Sequence, residues 1–167
     1  MNIKKILLLS LLSLLFSLEV LADFSDIEYS WYRDSVLNLQ SQWLTNGYWD
    51  GTYGVENNIT RAEILTILLR ASNITLPEVD TEKCFPDVDQ NMWYHRYICA
   101  ANKLGIASGF SDGKFKPNDS VTTLEALAFA NKAFQTGVAT TGEKWYDLLQ
   151  QFAENNRVMA THTYTTS

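Results

Sequence analysis

The chain has 167 residues, with 13 Lys and Arg against 19 Asp and Glu, a formal net charge of −6. That balance excludes a nucleic-acid binder, which needs a basic face, and excludes adhesion to an anionic polymer by bulk electrostatics. Any hold on an anionic ligand must come from individually placed cations.

Residues 1–22 read as a secretory signal peptide. Lys4 and Lys5 form a positive start, Ile6 to Leu18 an apolar run, and Val20-Leu21-Ala22 a small-residue cleavage site. An N-terminal membrane anchor is the alternative, since the run is almost long enough to span; Glu19 and the Val-x-Ala site favour cleavage. Removal takes two Lys and one Glu, leaving 11 basic (13 − 2) and 18 acidic (19 − 1) residues, a net charge of about −7. No later segment reaches transmembrane length, so the expectation is a secreted protein of the cell surface or envelope with no membrane span after cleavage.

From Trp31 onward the chain repeats itself. Trp31, Tyr32, Gly47, Asp50, Gly51, Thr60, Glu63, Leu65 and Ala71 recur as Trp93, Tyr94, Gly109, Asp112, Gly113, Thr122, Glu125, Leu127 and Ala133, always 62 residues on (93 − 31). Tyr48/Phe110, Tyr53/Phe115 and Arg70/Lys132 are near-equivalents at the same offset. A fixed period of this length marks a modular array. The divisions are 23–72 for the first repeat, 73–83 for a linker with Pro77 and several acids, 84–136 for the second repeat, and 137–167 for a partial third.

Each repeat opens on an aromatic-acidic phrase, Phe24-Ser25-Asp26-Ile27 and then Phe85-Pro86-Asp87-Val88. Helices are predicted from Trp31 to Trp43 and from Trp93 to Leu104, the second striped by Tyr94, Ile98 and Ala101. A Gly-rich loop follows, Gly47 to Tyr53 and Gly109 to Phe115, turning at Asp-Gly because Gly tolerates positive φ. Its flanking aromatics either pair as short extended arms or plug the loop into the core. The second helix of each unit starts at a capping box, Thr60 with Glu63 and Thr122 with Glu125, which is a sufficient structural reason for these four residues. Behind it, Ile64, Leu65, Ile67, Leu68 and Ala71 are apolar on more than one face, as in a largely buried helix.

A third unit begins at Trp145-Tyr146, where Ala153 and Val158 match Ala101 and Ile106 at an offset of 52 (145 − 93). No Asp-Gly loop or capped helix follows it, so its apolar neighbours are expected to be exposed unless the chain continues or self-associates. Cys84 and Cys99 lie 15 residues apart (99 − 84), and in an exported chain such a pair reads as a disulfide rather than a metal site. Their first-repeat equivalents are Asp23 and Leu37.

Catalytic and metal readings find little support. Asp87-Val88-Asp89-Gln90-Asn91 resembles a calcium loop only superficially, with Met92 where Gly is needed and Ile98 where a bidentate Glu is needed; Asp87 or Asp89 as a helix cap is the simpler account. His95 and His162 suit no metal motif, and no nucleophile elbow or phosphate loop is present. The expectation is a protein that is not an enzyme and carries no metal or cofactor.

The ordered set Phe-x-Asp-Val, Trp-Tyr, Gly-x-x-Asp-Gly-x-Phe and Ile59-Thr60-Arg61-Ala62-Glu63 resembles the S-layer homology module of bacterial surface proteins, over about residues 24–134 and a fragment to about 158. The resemblance implies a mainly α fold: tandem helix–loop–helix repeats packed around a central helical bundle, here an incomplete pseudo-threefold prism. It implies non-catalytic attachment to cell-wall polysaccharide or a peptidoglycan-linked polymer, often bearing ketal-linked pyruvate, through grooves between modules. The family's binding Arg falls on Arg61, whose planar fork suits a carboxylate and which stands at a helix start whose free amides also favour an anion. Asp50, Gly51 and Trp49 lie in the loop expected near that helix start. Trp49 either stacks on a sugar or is a buried plug. In the second repeat Asp112 and Gly113 remain, but Thr123 stands at the Arg position, so that groove is degenerate or reads a neutral sugar. The alternative is a structural or assembly protein of the envelope that self-associates without binding glycan.

Overall fold

A computed structural model describes residues 23–78, 83–139 and 144–157. The expected signal peptide, and the third unit beyond residue 157, lie outside these residues. Among them are five helices: α1 (Arg33–Ser41), α2 (Arg61–Ala71), α3 (His95–Lys103), α4 (Thr123–Phe134) and α5 (Trp145–Asn155). The fold is mainly α, and the β pairing among the described residues is one isolated bridge, Thr60 to Ser120.

The chain divides into two compact units, Met1–Val55 and Glu56–Ser167. In the first, Phe24, Ile27 and Val36 form a small core, with Tyr32, Leu37, Tyr53 and Val55 packed against it. In the second, α2 packs on α3 and on α4, and α4 packs on α5. Its core includes Leu65 and Leu69 from α2, Ile98 and Ala101 from α3, Phe115 from the loop, and Phe129 and Ala133 from α4. The stripe read on the α3 sequence is the face it buries, Tyr94, Ile98 and Ala101 being nearly inaccessible. Helix α2 thus belongs to the first repeat by sequence and packs with the second.

Both capping boxes form as expected. Thr60 accepts from the Glu63 N–H and Thr122 from the Glu125 N–H, while each Glu accepts from the N–H of its own Thr. The first helix of each unit starts two residues later than predicted, at Arg33 and His95, and has no side-chain cap. Asp87 and Asp89 therefore cap no helix, contrary to the expectation. Asp87 accepts from the Phe115 and Lys116 N–H groups at 2.9 and 2.8 Å, clamping the end of the Gly-rich loop. Asp26 does the same to Tyr53 and Gly54, both at 2.7 Å. Asp89 closes a local turn on the Asn91 N–H.

The loop closes through backbone bonds, Phe110 N–H to the Lys114 carbonyl and Gly113 N–H to the Phe110 carbonyl, at 2.8 and 2.9 Å. No strand is built; the second aromatic, Phe115, is the plug, fully buried. The predicted bridge between Cys84 and Cys99 is present, with Cα atoms 5.4 Å apart. It ties the opening phrase to α3. At Asp23, the first-repeat equivalent of Cys84, an ion pair with Arg33 ties the phrase to α1 instead.

Candidate functional site

The start of α2 docks on the segment after the second Gly-rich loop. The Arg61 N–H donates to the Asp119 carbonyl, the Ala62 N–H to Pro117, and the Val121 N–H to Ile59, all at 3.0 Å. The free amides expected to favour an anion at this helix start are thus occupied. A helix N-terminus leaves its first amides unpaired; here the docked backbone satisfies two and Thr60 a third.

That docking carries the Arg61 side chain inward, where it is only 3% exposed. Its Nε donates to the Phe115 carbonyl at 2.9 Å and its Nη1 to Glu125 Oε1 at 2.5 Å. The guanidinium carbon lies 4.5, 4.7 and 5.4 Å from the ring centres of Phe110, Phe115 and Phe129, close enough for cation–π attraction to each. Burial pulls the guanidinium below its ordinary pKa, opposed by the charges of Glu125, Asp119 and Asp87; an Arg stays protonated regardless. Glu125 divides its carboxylate: Oε2 closes the capping box on Thr122 while Oε1 holds Arg61. The residue explained by sequence as a cap is also the buried cation's counter-charge.

Above this pair opens a shallow groove of about 240 Å³. Phe110 and Trp145 supply aromatic wall, and Ser108, Lys132 and Glu125 supply polar atoms around Arg61. The groove therefore joins the first repeat's second helix, the second repeat's loop and α4, and the first residue of α5. Asp112 and Gly113 belong to the same loop but are not among the lining residues. The Asp112 carboxylate accepts from the Lys114 N–H and pairs with Lys116 at 3.4 Å, and Gly113 provides the turn at φ +77°. Thr123, at the Arg61-equivalent position, is exposed.

Trp49, Asp50 and Gly51 belong to the other compact unit. Asp50 accepts from the hydroxyl and N–H of Thr52, stabilising its own turn, and Gly51 takes φ +81°. Trp49 is 98% exposed, so it is no buried plug. Sequence reasoning did not single out Lys132, Trp145 or Phe110 as site residues, although their places in the repeat were visible. Among the described residues no three His, Cys, Asp or Glu side chains group as a metal site. No described helix is long and apolar enough to cross a membrane.

The S-layer homology domain family model matches residues 23–65 and 85–127. The chain is similar to an amylopullulanase of Thermoanaerobacterium thermosulfurigenes, 36% identical over 134 residues that make up 80% of this chain and 6% of that protein. It is 40% identical over 103 residues to endo-1,4-beta-xylanase A of Thermoanaerobacterium saccharolyticum, covering 61% of this chain and 9% of the relative. It is 35% identical over 105 residues to a cell surface protein of Thermoanaerobacter kivui, covering 61% and 14%. The chain spans at most 14% of the length of these three relatives.

Proposed function

The chain belongs to the S-layer homology domain family, and from that premise we propose that it is a non-catalytic module anchoring its protein to cell-wall polysaccharide through the groove over Arg61. The carrying observation is a buried guanidinium at the base of an open, aromatic-walled groove, assembled from two consecutive repeats and the first helix residue of the partial third. Carbohydrate sites combine such ring surfaces with a few placed polar groups. The relatives named as enzymes share only 6% and 9% of their length with this chain, which supports an accessory module rather than a catalytic part. A pyruvylated polymer is the finer reading, because a ketal carboxylate matches the groove's cations. Retention at the cell surface follows from the same binding.

The test is co-sedimentation of the signal-free protein with wall polysaccharide purified from the cells that make it. Wild type is expected to pellet with the polymer. Arg61→Ala, checked for folding by its circular dichroism melt, is expected to stay in the supernatant. A folded Arg61→Ala that pellets like wild type rejects the role of this groove.

A second reading, assembly of the envelope by self-association, is favoured by Tyr29, Trp31 and Trp49, each more than nine-tenths exposed in the first unit. Covered by a second copy, these three aromatics would leave water, which is the gain that self-association offers. Sedimentation velocity separates the two: a monomer at all concentrations that still binds glycan rejects assembly.

A further inference from the structure

We propose that the Cys84–Cys99 disulfide sets the groove over Arg61. With the bridge closed, the Phe85–Val88 phrase holds the Phe115 carbonyl on the guanidinium. With it open, the unit stays folded and the groove loses its grip. This rests on the wall-binding reading and makes that binding depend on redox state. Cys84, Cys99 and Asp87 act as positioning residues, since none of them lines the groove.

Three observations carry it. First, the phrase holds the floor of the groove from behind. The Phe115 carbonyl accepts from Arg61 Nε at 2.9 Å, while the Phe115 and Lys116 N–H groups donate to Asp87 at 2.9 and 2.8 Å. The Phe85 ring lies 5.5 Å from the Phe115 ring. It also lies so close to Gly109, a lining residue, that a Cβ there would be 2.7 Å away. A carbonyl that drifts by about 0.7 Å from Arg61 Nε is out of hydrogen-bond range.

Second, the bridge ties this phrase to an element that does not depend on it. Ile98 and Ala101 keep α3 in the core through apolar contacts that the sulfurs do not supply, and α3 packs on α2. The phrase itself is a turn, closed by the Val88 N–H on the Phe85 carbonyl. Opening the bridge therefore frees the phrase before it frees a helix. Cys84 is half-buried and open to an exchanging thiol, whereas Cys99 is buried.

Third, the first unit makes the same junction without sulfur. Asp26 clamps its loop as Asp87 does, but the exposed Asp23–Arg33 pair stands where the bridge would be. The chain's one pair of cysteines is in the unit whose loop cradles Arg61. The bond forms by exchange: a disulfide donor accepts two electrons and two protons from the Cys84 and Cys99 thiols and leaves reduced. Such donors prevail outside the cytoplasm. If the oxidised form binds polymer more tightly, polymer must protect the bond from reduction by the same factor.

The experiment uses signal-free protein and purified wall polysaccharide, with circular dichroism read well below the melt. Wild type reduced with dithiothreitol is expected to keep its helical signal and to bind about tenfold more weakly; reoxidation restores binding. The double variant Cys84→Ser, Cys99→Ser is expected to bind like reduced wild type in either buffer. Saturating polymer is expected to make the bond's reduction potential about 30 mV more negative, which is tenfold for a two-electron couple. Asp87→Ala is expected to lose as much binding, with little added by reduction, because both changes act through one carbonyl. Four results overturn this proposal and leave wall binding standing: reduced protein that binds as oxidised protein does, a potential that polymer leaves unmoved, helical signal lost on reduction, or full additivity of reduction with Asp87→Ala. Oxidised wild type that binds no polymer overturns both.

Discussion

At the scale of single residues, Gly109 and Gly113 are required for different reasons. A Cβ at Gly109 would lie 2.7 Å from both the Phe85 ring and the Lys114 carbonyl, whereas at Gly113 it would meet nothing within 4 Å, but φ there is +77°. Asn tolerates the left-handed region, so Gly113→Asn is expected to cost less than about 1 kcal/mol. Gly109→Ala forces ring and backbone apart and is expected to cost about 1–3 kcal/mol. Urea unfolding midpoints measure both; the reverse order would reject this account. Gly47 and Phe24 repeat the contact in the first unit, so the Phe and Gly of the repeat are a matched pair. The sequence displayed both residues but not their meeting, because 23 positions (47 − 24) separate them and neither carries a charge or polar pattern that points to the other. Asp26 and Asp87 escaped for a similar reason: their partners are backbone amides, which any residue could supply.

At the scale of elements, the second helix of each repeat was legible almost completely. Thr-x-x-Glu before an apolar run specifies a cap, and both boxes formed. Invisible was the second task of Glu125, since Arg61 lies 64 residues away. That task separates two substitutions on one cap. Thr122→Ala removes a cap worth about 1 kcal/mol. Glu125→Gln is expected to cost more, about 2–3 kcal/mol, because it strips the counter-charge from a buried guanidinium; the figure is below that of a fully buried pair because the Glu125 side chain is 28% exposed. Thermal and urea unfolding of both variants tests the order. The ties on the first helices differ in kind as well. The disulfide closes 15 residues and stabilises by about 3 kcal/mol in the chain-entropy model, whereas the solvent-exposed Asp23–Arg33 pair is screened by water and adds little.

For the whole molecule, acid should loosen both units together. The Lys114 N–H, with Lys116 beside it, holds the Asp112 carboxyl below its usual range. The Thr52 hydroxyl and N–H do the same for Asp50. At Asp26 partial desolvation pulls upward, and the N–H groups of Tyr53 and Gly54 outweigh it. Each is thus more acidic folded than at the unfolded value of 3.8, so the unfolded chain binds more protons near and below that pH. Stability from these turns is complete above about pH 5 and lost as pH falls through the folded values. Urea midpoints are expected to stay level from neutral pH to about 5 and to drop below 4; a midpoint that rises on acidification rejects the loop clamps as its source. The period announced the helical class and the module, but it could not announce that α2 completes its packing against the repeat that follows. The bridge from Thr60 to Ser120 and the amides given to Pro117 and Asp119 set the inherited segment and the self-sufficient one out of phase. A gene duplicated or spliced between residues 72 and 73 would part Arg61 from Glu125. A graft joined ahead of Glu56 would carry the groove intact to a new cargo.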